Sequence, residues 1–462
     1  MGNLLVSPIT DKETHRGETT NGDDVYPFAV SSMQGWRVHM EDAHICQPEL
    51  FAEERLPTRR ASSSEVNVTD VAMDGGLIKK AKQEKFRTIE LPNHSLFAVF
   101  DGHGGSFAAK YAGLNFVRVL SRQPAFVQYA HFVQKQNTRD LMETAATVDK
   151  SSINVTYENN SNSNEDDNNN SNLMDNKTVQ QAQLHRQGIE LLEQAFRDAF
   201  LDLDREIWRV VNHLPNEDCT MPRRNSDHAN TTATNNNDEN NQRNDDEEND
   251  HDDEYSFSQE DSGTTAVAVM ITPQFIICAN AGDSRSVYSK QGHCAIPLSY
   301  DHKPDDEGEE RRIIDAGGFV RVGRVDGDLA VSRGLGDFRF KEPQLYRSMG
   351  TTCVADMPHL NKKHGNRKRG TGAIGGGSDN ADVDDTNNLN QNTDILPDDQ
   401  KVSPIPDIIV QKRDNDLDEF IVIACDGIFD VQTNNECISL TAEIFEEGEN
   451  DLGLVCEEVG LN

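Results

Sequence analysis

The sequence predicts one mixed α and β domain, a single packed core broken by long polar insertions. Composition, a set of short apolar runs and one long amphipathic stretch carry that reading. Only 35% of the 462 residues are hydrophobic, too few for the three cores that the length alone would suggest. Apolar periodicity is confined to segments near 21–50, 92–135, 179–214, 261–342 and 401–462, so the core holds roughly 250 residues, close to one large domain. The domain is therefore read as 21–462, with residues 1–20 as an N-terminal tail and insertions near 51–91, 136–178, 215–260 and 343–400. These are rich in Asn, Asp, Glu, Ser and Gly, which cannot offset the ordering entropy of a fold.

The elements follow in chain order. Leu96–Phe100 is a short, aromatic, β-branched run stopped by Asp and Gly, the pattern of a buried strand. Across 184–214, Ile189, Leu192, Phe196, Phe200, Leu203, Ile207 and Val210 recur at steps of three and four, which predicts a long helix packed on the strands. Thr264–Ile271, Phe275–Ala281 and Phe420–Cys425 repeat the strand pattern. Residues 308–316, closed by Gly317 and Gly318, predict a shorter helix with a glycine stop.

Several classes are disfavoured. With 44 Lys and Arg against 80 Asp and Glu, the formal net charge is −36, which argues against nucleic acid as a partner. No run approaches the roughly 18 apolar residues of a membrane span, and the first 30 residues lack the apolar centre of a signal peptide. The 8 cysteines form no CxxC pair and read as reduced thiols of a cytoplasmic or nuclear protein. Gly2 satisfies one requirement of myristoylation while Val6 stands where Ser or Thr is usual, so a membrane contact is expected only if Gly2 is lipidated.

Three predicted strands end in one kind of chemistry. Leu96–Phe100 runs into Asp101, Gly102 and His103; Phe275–Ala281 runs into Gly282 and Asp283; Phe420–Cys425 runs into Asp426 and Gly427. A glycine beside each acid allows a sharp backbone exit that leaves the carboxylate at the strand's rim. Glu41 and Asp42 follow Arg37 closely, and Asp337 closes the run Ser332–Asp337. One Asp-Gly is usually a turn. A set of them at apolar strand ends predicts a cation site, and oxygen donors suit Mg²⁺ or Mn²⁺ rather than zinc. Arg37 offers a planar fork for phosphate oxygens, and His103 could hand a proton to a leaving alkoxide.

The motifs GWRVHMEDAH, FAVFDGHGG, DSGTTAVAVM, ANAGDSR, YDHKP, RVDGDLAVSRGLGDFRFK and FIVIACDGIFDV occur in that order. They resemble the metal-dependent Ser/Thr protein phosphatases of type 2C. The long acidic insertion before Asp261 resembles the gamma-type members. The resemblance implies an α+β fold, a central antiparallel β-sandwich flanked by helices in α-β-β-α layers. It implies hydrolysis of phosphoserine and phosphothreonine in phosphoprotein substrates by water activated between two Mg²⁺ or Mn²⁺ ions. Asp101 would bridge both ions, the Gly102 carbonyl would bind one and Asp426 the other, Glu41 and Asp42 would hold metal-bound waters, and Asp283 and Asp337 would serve a weaker third ion. Arg37 would grip the phosphate and His103 would act as general acid.

The sequence departs from that pattern in two places. After the Asp-Gly-Ile strand the family continues to a strand opened by Asp-Asn that supplies another carboxylate, whereas this chain ends at Asn462, so it is read as truncated. Gly334 stands where the family carries Ala, and little effect is expected beyond backbone freedom. The alternative function is a catalytically impaired scaffold that binds basic partners through the acidic block at 215–260. The bland reading of that block is a solvated loop. Lys362–Arg369 admits nuclear import or a basic loop that contacts the acidic one.

Overall fold

The computed structural model describes residues 4–21, 24–56, 85–153, 167–213, 261–349 and 396–461. In chain order it contains β1 (Leu4–Asn21), β2 (Asp24–Arg37), β3 (Ala43–Gln47), β4 (Leu50–Arg55), β5 (Phe86–Leu91), β6 (Ser95–Phe100), β7 (Gly102–His103), α1 (Phe107–Ser121), α2 (Pro124–Ile153) and α3 (Asp167–Val211). After the acidic block come β8 (Gly263–Thr264), β9 (Ala266–Ile271), β10 (Phe275–Ala281), β11 (Arg285–Lys290), β12 (Cys294–Pro297), α4 (Glu307–Asp315), β13 (Leu335–Gly336) and α5 (Pro343–Met349). The last elements are β14 (Asp407–Lys412), β15 (Asp418–Ala424), α6 (Asp426–Phe429), α7 (Asn434–Glu446) and α8 (Leu452–Val459).

Two antiparallel sheets form the centre, a five-stranded one in the order β14-β10-β9-β6-β3 and a three-stranded one in the order β12-β11-β15. Strand alternation builds the layers. Val267 and Val269 of β9 and Ile276 and Cys278 of β10 meet Tyr288, Ile421 and Ile423 of the smaller sheet in a core between the two. The alternate residues of the same strands, Ala266, Ala268, Met270, Ile277 and Ala279, face α1, α2 and α3 through Phe116, Phe126, Phe196 and Phe200. On the far side, Val287 and Val422 pack against α7 and α8 through Ile438, Ile444 and Val455. The α+β sandwich with outer helices is therefore present.

Several segments differ from the sequence reading. Residues 1–20, read as a tail, supply β1, which pairs antiparallel with β2 along its length. That hairpin is tied to α8 by Arg16–Asp451 and by the Thr14 hydroxyl, which donates to Glu457. β1 is largely polar and buries little, so it carries no apolar pattern. The insertion read near 51–91 begins and ends in the paired strands β4 and β5, which put Leu50, Ala52, Ile89 and Leu91 into the main core. Helices α2 and α3 run into the segment read as an insertion at 136–178. The run Thr264–Ile271, read as one strand, is broken at Thr265 into β8 and β9. Gly2, the acidic block at 215–260 and Lys362–Arg369 lie outside the described residues.

Candidate active site

The break at Thr265 shapes the site. Its backbone N–H donates to the Asp101 carbonyl at 2.9 Å, its hydroxyl accepts from the Asp101 N–H at 3.3 Å, and the Thr264 hydroxyl donates to the same carbonyl at 3.0 Å. Asp101 is thereby pinned at the exit of β6. Gly102 follows because a Cβ there would overlap the Glu41 carbonyl, so glycine lets the segment carrying Glu41 and Asp42 close over β7. The Glu41 carboxylate in turn accepts from the Gly105 N–H at 3.0 Å.

Asp426 arrives from the other sheet at the end of β15. It lies with Asp101 and Cys425 such that one donor atom of each is within 4.8 Å of the others. Burial, joined by the charges of Asp42, Asp426 and Asp283, pushes Asp101 up to about 8. Burial pushes Asp42 up to about 6, Asp426 and Glu41 adding to it while hydrogen bonds from Gly102 and Asp101 offset part. Burial and then Asp283 and Asp430 raise Asp426. Carboxylates crowded in this way favour a proton or a cation among them. Burial also raises the Cys425 thiol, while the carboxylates of Asp101 and Asp426 offer oxygen donors of the kind that suits a hard cation.

A second group adjoins the first. Strands β7, β8 and β13 form a small sheet in which His103 pairs with Gly263 and Gly263 with Gly336. This brings Asp337 to His103, whose Nε2 lies 2.9 Å from both carboxylate oxygens. A side chain at Gly263 would overlap that carboxylate. Burial disfavours the imidazolium, yet Asp337 beside it holds His103 above its ordinary value. The structure thus pairs Asp337, which the resemblance assigned to a third ion, with His103. Asp283 is buried and receives a hydrogen bond from Lys303, a residue of the YDHKP motif to which sequence reasoning gave no role. Asp430, one helical turn beyond Asp426, was also missed. Arg37 closes β2 with an exposed side chain that makes no hydrogen bond or ion pair among the described residues.

The chain is similar to known proteins over nearly all of its length. The family model described as "Protein phosphatase 2C" matches residues 208–461. The chain is 27% identical over 459 residues to a protein named protein phosphatase 2C homolog 2 from Aspergillus flavus, covering 99% of this chain and 62% of that protein. It is 25% identical over 448 residues to the Saccharomyces cerevisiae protein of the same name, covering 97% of this chain and 55% of that one. The chain thus spans less than two thirds of the length of these relatives. A crystal structure of serine-threonine phosphatase 2C from Toxoplasma gondii aligns over 99% of this chain and 92% of that one, at 14% identity and a TM-score of 0.44.

Proposed function

The chain belongs to the protein phosphatase 2C family, and from that premise we propose that it hydrolyses phosphoserine and phosphothreonine in proteins with Mg²⁺ or Mn²⁺ as cofactor. The observation that carries the reading is the convergence of Asp42, Asp101 and Asp426 beside the His103–Asp337 pair. Asp101, Asp426 and the Gly102 carbonyl would hold two ions, Glu41 and Asp42 would hold their waters, and Asp283 would serve a weaker third. When bound, such ions neutralise phosphate charge and lower the pKa of water towards neutrality.

The chain's own residues supply the rest. Arg37, whose side chain makes no hydrogen bond or ion pair among the described residues, forks onto the phosphate oxygens and orients the ester. His103 is engaged through Nε2, which leaves Nδ1 as the nitrogen that protonates the departing serine or threonine oxygen. Asp337 keeps the ring oriented and favours its charged form before that transfer.

Finer assignments rest on charge and composition. The −36 net charge supports an attraction between the acidic block and basic proteins, the position of that block before Asp261 supports a gamma-type relation, and the free cysteines support a cytoplasmic or nuclear setting. Among the described residues no helix is long and apolar enough to cross a membrane.

The test is hydrolysis of a phosphothreonine peptide with Mn²⁺ titrated in and Asp101→Ala run alongside. Turnover that requires the metal and falls to background in the variant is expected. Metal-independent turnover, or full activity in Asp101→Ala, would sink the proposal.

A further inference from the structure

Asp204 lies on α3, behind the site and away from the reacting groups. Its side chain is 0% exposed and so is that of its ion-pair partner Lys341. One carboxylate oxygen accepts from the Gly336 N–H at 2.7 Å and from Lys341 Nζ at 2.9 Å. The other accepts from Lys341 Nζ at 3.0 Å and from the Tyr346 hydroxyl at 2.6 Å. Lys341 Nζ donates in addition to the Gly334 carbonyl at 2.9 Å. A buried ion pair of this kind is no more stabilising than apolar residues of equal volume, so its role is better sought in what it fixes.

What it fixes is the turn that carries Asp337. Gly336 and Asp337 are consecutive left-handed residues, with φ of +79° and +53°. For Asp337 that conformation is costly and persists only where the surroundings enforce it. The Gly336 N–H is held by Asp204 and the Asp337 N–H by the Ser262 carbonyl at 3.2 Å, so Asp204 supplies a side-chain anchor to the main chain of the strained pair. On the other side of the turn the Asp337 carboxylate grips His103.

We propose that Asp204, with Lys341 and Tyr346, is a positioning residue for catalysis: it acts through the Gly336–Asp337 turn to hold His103 in the orientation that protonates the leaving group. This rests on the phosphatase reading above. Loss of proton donation harms substrates whose leaving group is a poor one. A phosphothreonine peptide needs the proton, whereas p-nitrophenyl phosphate releases a stable phenolate without it.

The test compares kcat and KM of full-length wild type and Asp204→Asn on those two substrates at saturating Mn²⁺. The second readout is the His103 imidazole N–H resonance in ¹⁵N-histidine-labelled, metal-free protein. Asp204→Asn is expected to lower kcat on the peptide about 50-fold, with KM and p-nitrophenyl phosphate turnover changed less than about threefold and the resonance displaced. A parallel fall on both substrates, or no fall, with the resonance unmoved, would overturn the proposal. If Asp204→Asn does not fold, Tyr346→Phe removes a single hydrogen bond and keeps the ring. It is expected to show the same selectivity at roughly three- to fivefold, and equal effects on both substrates would count against the proposal. If wild type turns over neither substrate at any Mn²⁺ concentration, the phosphatase reading falls by itself. The resonance then decides the positioning role, displaced in support or unmoved against.

Discussion

A methyl group at position 334 would stand 2.8 Å from the Thr264 carbonyl oxygen, closer than carbon and oxygen settle without movement. Gly334 is not in the left-handed region, so the reason for glycine here is the approach of β8 rather than backbone freedom. The expectation of little effect from this departure is thus corrected. No sequence pattern shows that Thr264 will be the neighbour of residue 334. The contact matters because the Thr264 hydroxyl holds the Asp101 carbonyl. Gly334→Ala, although it restores the residue the family motif carries, is expected to destabilise this chain by about 1–3 kcal/mol, the usual cost of overpacking. Its urea unfolding midpoint should fall, and its half-saturating Mn²⁺ concentration should rise as Asp101 is displaced. An unchanged midpoint would show that β8 yields to the methyl at no cost.

At the scale of elements, what was legible in the sequence depended on which faces were buried. β6, β10 and β15 pack on both faces, so their apolar runs stood out and their boundaries held to within two residues. β1 and β2 expose much of their surface, and β4 and β5 contribute only Leu50, Ala52, Ile89 and Leu91 to the core, too few to make a pattern. Helix α4 was visible from its periodicity and its Gly317 stop, but its task was not. Its Glu309, almost buried, is held by Arg312 at 2.7 Å and Arg333 at 2.8 Å and accepts from the Ser332 hydroxyl, tying the helix to the segment that leads into β13. Burial opposes the Glu309 carboxylate, but the bond from Arg333 and the charges of both arginines hold it down at about 2, against an ordinary 4.5. Burial still draws Arg312 below its ordinary value, so the gain is credited to Glu309 and Arg333. A depressed carboxylate stabilises the fold above its unfolded pKa, and that contribution disappears as pH falls from about 4.5 towards 2. Wild type should therefore lose on the order of 3 kcal/mol across that window, and Glu309→Gln should lose stability at neutral pH and show a flatter acid profile. Denaturant melts at pH 7, 4.5 and 3 check both, and parallel profiles for the two proteins would refute the assignment.

Over the whole molecule, the sequence showed which acids stand at strand ends but not which ends meet. Asp101 and Asp426 belong to different sheets, and only the face-to-face packing of Val267, Val269 and Ile276 on Tyr288, Ile421 and Ile423 brings their loops together. The pairing of His103 with Asp337, 234 residues apart, depends on β7, β8 and β13, each of two residues, below the length at which alternation can be read. Net charge, by contrast, is fully present in the sequence and acts at long range. A chain of −36 surrounds its site with a negative field that repels the phosphate and attracts cations, so the residues flanking a phosphorylated position govern encounter. For a phosphothreonine peptide flanked by arginines, KM should rise severalfold between about 50 and 500 mM NaCl, because the Debye length shrinks from roughly 14 to 4 Å over that range. For an isosteric peptide flanked by glutamates, KM should fall as the same repulsion is screened. Steady-state kinetics at matched Mn²⁺ activity measures both slopes. Slopes of the same sign for the two peptides would mean that the field of the whole chain does not reach the substrate, and that selection lies in contacts beside the site.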